Sequence, residues 1–336
     1  MGDIGLETIL LSDEEIKDLI SMRDIMDAVE LAFREKGLSR VQMPPKMYLV
    51  FGKYNGDLRV MPSYIEEMDV SAVKVVNVHP DNREKYSLPT VMAVIILVDP
   101  KNGFPMAIMG GKTITDMRTG AAGGVAAKYL ARKDSRVAGF VGAGDQARTQ
   151  LAALLEVFGS FGEVRVWSRS EEARTRFKSE MTMKYGHLCK IITVKNVREA
   201  VDGADIIVTA TPSRMPLVMD EWIQPGTHFN CVGADAPGKE EIDPLILKRA
   251  KIVVDDWEQA SHSGEINVPL SRGLLSKSDI WAEIGEIVAG IKPGRISDDE
   301  ITVFVSTGLA IQDAVTANLV YQRALKLGVG RKIKII

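Results

Sequence analysis

Residues 139–150 read GFVGAGDQARTQ. The apolar run that begins at Val137, after Arg136, ends at Val141, and a helix-prone stretch begins at Asp145, so the glycines stand where a strand turns into a helix. Gly142, Ala143, Gly144, Asp145, Gln146 and Ala147 spell GxGxxA at that turn. Glycines there let a pyrophosphate approach the backbone, and the helix N-terminus offers it N–H groups and the positive end of the helix dipole. The pattern alone is a weak signal. Its meaning is decided by the residues downstream.

From Arg136 onward the chain alternates strictly: strand RVAGFV, helix from Asp145, strand EVRVWS, helix from Glu171, then strands KIITV, DIIVTAT, THFNCVGA and KIVVDD. Strands spaced by helical patterns predict right-handed βαβ units and a parallel sheet. This part of the chain is therefore an α/β, doubly wound nucleotide-binding domain, and the loop is predicted to hold NAD or NADP. The end of the second strand separates the two cofactors, because an Asp or Glu there would bond the adenosine 2′-hydroxyl and repel a 2′-phosphate. Ser168 stands in that place and Arg169 follows it. A hydroxyl with a guanidinium suits a phosphate, which predicts NADP(H), with NAD(H) the alternative.

The sequence before residue 119 has another texture. In SDEEIKDLISMRDIMDAVELAFREKG, Ser12 with Glu15 and Ser21 with Asp24 have capping-box spacing, and apolar residues recur behind each at helical intervals. Two amphipathic helices are predicted to open the protein. From PPKMYLVFGKYNGDLRVMPSY to PTVMAVIILVDPKNGFPMAIMGG the runs alternate and are β-rich, with YNGD and PKNG as hairpin turns, which predicts an antiparallel sheet. TDMRTGAAGGVAAKYLARKD reads as an alanine-rich helix. Near residue 300, ITVFVSTGLAIQDAVTANLVYQRALKLG reads as one long apolar-faced helix, opened by STG and closed by Gly328 or Gly330. A terminal helix after a parallel sheet is expected to pack back on the first domain.

Composition sets outer bounds. A chain of 336 residues exceeds the roughly 250–300 at which single cores stop growing, so two domains are expected. With 46% hydrophobic and 26% charged residues and a net charge of −3, nothing advertises nucleic acid or an anionic membrane surface as a partner. No apolar run reaches the roughly 18 residues a membrane span needs. MGDIGLETILLSD lacks a positive leader and a long apolar segment, so a cytoplasmic protein is expected. Cys189 and Cys231 have no CxxC or zinc spacing and read as buried apolar residues. His79, His187, His228 and His262 have no metal-ligand spacing either, and no metal is expected.

Eight blocks in order, MPPKMYL, GDLRVMP, VKVVNVHP, MRTGAAGGVAAKYLA, GFVGAGDQA, GADAPGKEEI, GEINV and STGLAIQD, resemble the ornithine cyclodeaminase/mu-crystallin family, and within it the archaeal alanine dehydrogenase branch. The resemblance implies a Rossmann-type domain over residues 119–305 and an α+β substrate-binding and dimerisation domain formed by 1–118 with 306–336. It implies a homodimer joined through the N-terminal sheets, with the active site between the two domains. It further implies hydride transfer from Cα of a small L-amino acid to nicotinamide, giving an imine that is hydrolysed to a keto acid. Other members cyclise ornithine or lysine, or reduce ketimines. A mu-crystallin-like NADP-dependent binding protein is the non-enzymatic alternative.

By the same resemblance Lys74 and Asp235 are the catalytic pair. Lys74 lies between apolar residues of AVKVV, where desolvation and neighbouring cations would lower its pKa. Asp235 follows a strand at the carboxyl end of the sheet, where ligands of this fold bind. Lys46, Arg59, Met61 and Arg118 match the substrate pocket. Cofactor contacts are implied for Thr115, Arg118, Thr119, Thr211, Ser213, Gly233, Asp235, Ser306 and Thr307, besides the glycine loop, Ser168 and Arg169. An arginine at position 59 would repel the distal ammonium of a diamino acid, which points to alanine and pyruvate. In one place the chain departs from the family, which commonly has DSTG or DSVG: Val305 here replaces the acid before Ser306.

Overall fold

A computed structural model describes residues 7–336, so the leading residues of the N-terminal reading lie outside it. The chain divides into two compact units, one running up to Arg118 and including Leu309–Ile336, the other Thr119–Gly308.

The first unit is built on an eight-stranded sheet. Its order runs Arg331–Ile333, Thr8–Leu11, Pro105–Gly110, Val91–Val98, Val70–Val78, Gly56–Ile65 and Val41–Gln42, with Met47–Phe51 also pairing with Gly56–Ile65. All pairs are antiparallel except Thr8–Leu11 against Pro105–Gly110, which is parallel. The expected opening helices, Asp13–Lys17 and Met22–Gly37, carry the capping boxes of Ser12 and Ser21. The strand Thr8–Leu11 precedes them and was not anticipated, because four residues are too few to display a period. In Val70–Val78 the alternation buries Val70, Ala72, Lys74 and Val76 on one face. The C-terminal helix Ala310–Leu327 packs on that strand and on Met22–Gly37, and Gly328 ends it in the left-handed conformation, φ +68°.

The second unit is an eight-stranded, wholly parallel sheet in the order Cys189–Thr193, Phe161–Trp167, Val137–Val141, Ile206–Thr209, His228–Cys231, Thr302–Val305, Lys251–Val254 and Ile280–Glu283. The order reverses between Val137–Val141 and Ile206–Thr209, the crevice at which such sheets bind ligands. Thr302–Val305 corrects the expectation of one continuous helix near residue 300: it is a fully buried strand inserted between two earlier ones, and the helix starts only at Ala310. A short apolar run buried on both faces has no period that separates strand from helix.

Polar residues thread this core and fix its helices. Asn230 Nδ2 donates to the Gly123 carbonyl (3.1 Å) and to Gln150 Oε1 (3.1 Å), while Gln150 Nε2 donates to the Thr119 carbonyl (2.9 Å). His228 hydrogen-bonds Asn230 and Thr302, and burial first, then the Arg295 charge, pushes its pKa down to about 3. Among the described residues no helix is long and apolar enough to cross a membrane.

Candidate active site

In the second unit the glycine loop has the geometry its sequence demands. Gly142 adopts φ +122°, and a Cβ there would lie 2.5 Å from the Ala210 carbonyl oxygen, so only glycine fits. Gly144 is the N-cap of Asp145–Phe158, and a Cβ there would meet nothing within 4 Å. That open space at a helix N-terminus is what a pyrophosphate requires. Asp145 and Gln146 form the first turn, and Ala147 is fully buried where the helix meets the sheet. Arg148 Nη1 donates to the carbonyls of Ala143 (2.7 Å) and Gly144 (2.9 Å), which occupies the loop's acceptors. The residues present therefore fit a dinucleotide.

The neighbouring loops at the carboxyl edge carry the other expected cofactor residues. The Ser168 carbonyl accepts from Arg174, and the Arg169 side chain is exposed. Thr211 donates to Glu241 through its N–H (2.6 Å) and its hydroxyl (2.7 Å), and Gly233 N–H donates to the same carboxyl group (3.1 Å). Ser213 N–H donates to Thr211 Oγ1 (3.2 Å). Asp235 pairs with Lys239 (2.5 Å). Thr307 donates through N–H (2.6 Å) and hydroxyl (3.0 Å) to Asp255, which also accepts from Gly308 N–H (2.8 Å). Ser306 N–H donates to the Cys231 carbonyl (2.9 Å). Val305 is fully buried in its strand, and the acid that secures the STG loop is Asp255.

Three acids here, Glu241, Asp255 and Glu265, were not read from the sequence. Burial raises Glu241 to about 7, against the hydrogen bonds from Thr211 and Gly233 that favour its charged form. Glu265 lies well above the usual carboxylate range, by burial first and the Glu241 charge second. It accepts from the N–H groups of Glu241 (2.6 Å) and Ile242 (2.8 Å).

The first unit gathers a different set. Lys74, 1% exposed, pairs with Asp313 through Nζ and Oδ2 at 2.6 Å. Arg118 Nε donates to Asp313 Oδ1 (3.0 Å), and its Nη1 donates to Gln312 Oε1 (2.7 Å). Thr115, expected at the cofactor, has its hydroxyl 3.5 Å from Lys74 Nζ. Burial drives the Lys74 pKa down to about 7. The Arg118 charge adds to that effect, Asp313 opposes it, and the Lys46 charge lowers it further. A lysine that exchanges its proton near neutrality can move protons at an amine. When Lys74 is protonated, one carboxylate shared by two cations leaves positive potential for an incoming anion.

Arg59, expected in the substrate pocket, is paired with Asp57 of its own strand. Its Nε and Nη2 donate to the two Asp57 carboxylate oxygens (2.9 and 3.1 Å), and its guanidinium lies 5.3 Å from the Tyr48 ring centroid. Its bidentate face is thus engaged by protein. Met61 is buried, sits opposite Lys74 in the strand register, and packs with Val76 and Ala310. Asp313 and Gln312 were missed, although the signal was present: two polar residues stand inside the apolar run GLAIQDAV of a helix.

A Rossmann-type unit with a glycine loop, joined in one chain to a unit that buries a near-neutral lysine, defines the class. Residues 6–328 match the model of the ornithine cyclodeaminase/mu-crystallin family, and the chain belongs to that family. An alanine dehydrogenase from Archaeoglobus fulgidus is 52% identical over 329 residues, spanning 98% of this chain and 99% of that protein. A solved archaeal alanine dehydrogenase dimer with bound NAD superposes with a TM-score of 0.93 at 52% identity, over 98% of this chain and 100% of that one. The Δ1-pyrroline-2-carboxylate reductase of Thermococcus litoralis, solved with NADH and L-proline, gives 0.93 at 45% identity, over 97% and 100%.

Proposed function

We propose that the protein is an amino-acid dehydrogenase that interconverts L-alanine with pyruvate and ammonium. The observation that carries this reading is Lys74, buried with its Nζ 2.6 Å from the Asp313 carboxylate that also pairs with Arg118, and with its pKa lowered to about 7. In the oxidative direction, neutral Lys74 Nζ accepts a proton from the substrate ammonium, which frees the nitrogen lone pair. Arg118 and Lys46 hold the substrate carboxylate, and Asp235 orients the water that hydrolyses the imine. When bound, the nicotinamide supplies the hydride acceptor for Cα–H. The balance is L-alanine, NAD+ and water to pyruvate, ammonium, NADH and one proton.

For the cofactor we favour NAD(H), in contrast to the NADP(H) expected from Ser168 and Arg169, because the two solved relatives contain NAD and NADH. An exposed guanidinium is satisfied by solvent and requires no 2′-phosphate. For assembly we favour a homodimer. Met47, Leu49 and Val50 expose apolar side chains on the strand Met47–Phe51, a surface a second copy would cover. A second reading, reduction of a cyclic imine, draws support from the L-proline complex of the reductase.

A substrate panel with both cofactors tests the proposal, with L-alanine, L-ornithine, L-lysine, L-proline and the corresponding keto or imino acids followed by nicotinamide absorbance. Alanine-dependent NAD+ reduction and pyruvate- and ammonium-dependent NADH oxidation are expected. Faster conversion of ornithine to proline, or faster reduction of Δ1-pyrroline-2-carboxylate, overturns the alanine assignment. Absence of any turnover while NAD(P)(H) still binds favours a binding protein.

A further inference from the structure

Glu241 lies on the short strand Glu240–Ile242, which pairs in parallel with Arg214–Val218 apart from the main sheet. Its fully buried side chain nevertheless reaches the carboxyl edge of the main sheet. There Oε1 accepts from Thr211 N–H (2.6 Å) and Thr211 Oγ1 (2.7 Å), and Oε2 accepts from Gly233 N–H (3.1 Å). Thr211 follows the strand Ile206–Thr209, and Gly233 follows His228–Cys231. These strands are adjacent, with Thr209 opposite Cys231. The ladder holds strands only up to their ends, and here one carboxyl group continues the connection, one oxygen to each loop. A Cβ on Gly233 would lie 2.3 Å from the Thr211 carbonyl oxygen and 2.4 Å from Glu241 Oε2, so the loops meet only because position 233 has no side chain. Glu265 in turn holds the Glu241 and Ile242 N–H groups.

A buried carboxyl costs free energy that an apolar side chain of the same size would not. What it supplies is a fixed separation between two loops. We propose that Glu241 is a positioning residue for the nicotinamide end of the site, setting through Thr211 and Gly233 the place of the Thr211–Ser213 loop and of Asp235. Asp235 is tied to Gly233 by its own N–H, which donates to the Gly233 carbonyl (3.0 Å). This deepens, and rests on, the reading of the protein as a dinucleotide-linked dehydrogenase. Displacement of such loops by about 1 Å is enough to cost on the order of a hundredfold in rate.

The test is Glu241→Gln, which keeps the size but sets an NH2 group against one of three donors. The dissociation constant for NADH is measured by fluorescence titration, with kcat, KM for NAD+ and the melting temperature alongside. The NADH constant and the KM for NAD+ should rise at least about tenfold in protein that remains folded, and Thr211→Val should raise both in the same direction by less. Adding Thr211→Val to Glu241→Gln should add little, because the two share one contact. A purely structural role would lower the melting temperature and leave both constants within twofold of wild type, which overturns the proposal. If Glu241→Gln does not fold, an unchanged NADH constant in Thr211→Val overturns it instead. Wild-type protein that binds no NADH refutes the dehydrogenase reading itself, a result distinct from a wild type that binds and a variant that binds equally well.

Discussion

Asp313→Asn should move the acid limb of the alanine oxidation profile. The carboxylate lies 2.6 Å from Lys74 Nζ and 3.0 Å from Arg118 Nε, with both cations buried. Of the influences on Lys74, only Asp313 favours the ammonium, whereas burial, Arg118 and Lys46 all disfavour it. Removing an opposite charge at this distance lowers a pKa by about 1–3 units, or about 1.4–4 kcal/mol at 1.36 per unit. On the proposed mechanism neutral Lys74 is the active form in oxidation, so wild-type kcat/KM should fall as the pH drops through about 7. In the variant the fall should begin about 1–3 pH units lower, at a reduced plateau because Arg118 loses its anchor. Stability follows the same sign. A lysine whose folded pKa is depressed from 10.5 to about 7 contributes stability above 10.5 that is lost as the pH falls through 7, and in the variant this loss continues to lower pH. Profiles of kcat/KM for L-alanine with saturating NAD+, with melting temperatures at each pH, measure both. An inflection in Asp313→Asn that coincides with the wild type would refute the assignment of that limb to Lys74.

Three further substitutions probe separate parts of the reading. Lys74→Met should leave a folded protein that binds NADH normally but turns over at least about a hundredfold more slowly, and near-wild-type turnover would remove Lys74 from the chemistry. Ser168→Asp should strengthen the preference for NAD(H), since a carboxylate there bonds the ribose hydroxyls and repels a 2′-phosphate; the ratio of kcat/KM for the two cofactors reads it directly. Gly142→Ala sets a Cβ 2.5 Å from a backbone carbonyl at φ +122°, so NADH affinity and melting temperature should both fall, and an unchanged affinity would mean that the loop is not the pyrophosphate site.

What could be read from the sequence is what the chain encodes locally. The glycine loop was legible because strand, turn and helix signals are contiguous there, and Lys74 was singled out by the resemblance of its block VKVVNVHP, while the phase that buries it with Ala72 and Val76 emerges only in the strand. The strand Thr302–Val305 was not legible: its run is buried at every position and so shows no period, and its neighbours, His228–Cys231 and Lys251–Val254, are chosen by the sheet and not by adjacency in sequence. The same distinction applies to charge. Nothing around Asp313 in the sequence names its partners, yet the fold brings Lys74 and Arg118 to its two oxygens. Arg59 was read as a cation aimed at substrate, and its neighbour two residues back, Asp57, accepts from its Nε and Nη2. A side chain's charge is fixed by its type, but the partners it meets are fixed by the fold. For Arg59 that countercharge weakens the repulsion argument against diamino acids, so the proposed preference for alanine requires that a longer side chain find no room beside Lys74. The ornithine arm of the substrate panel measures that room.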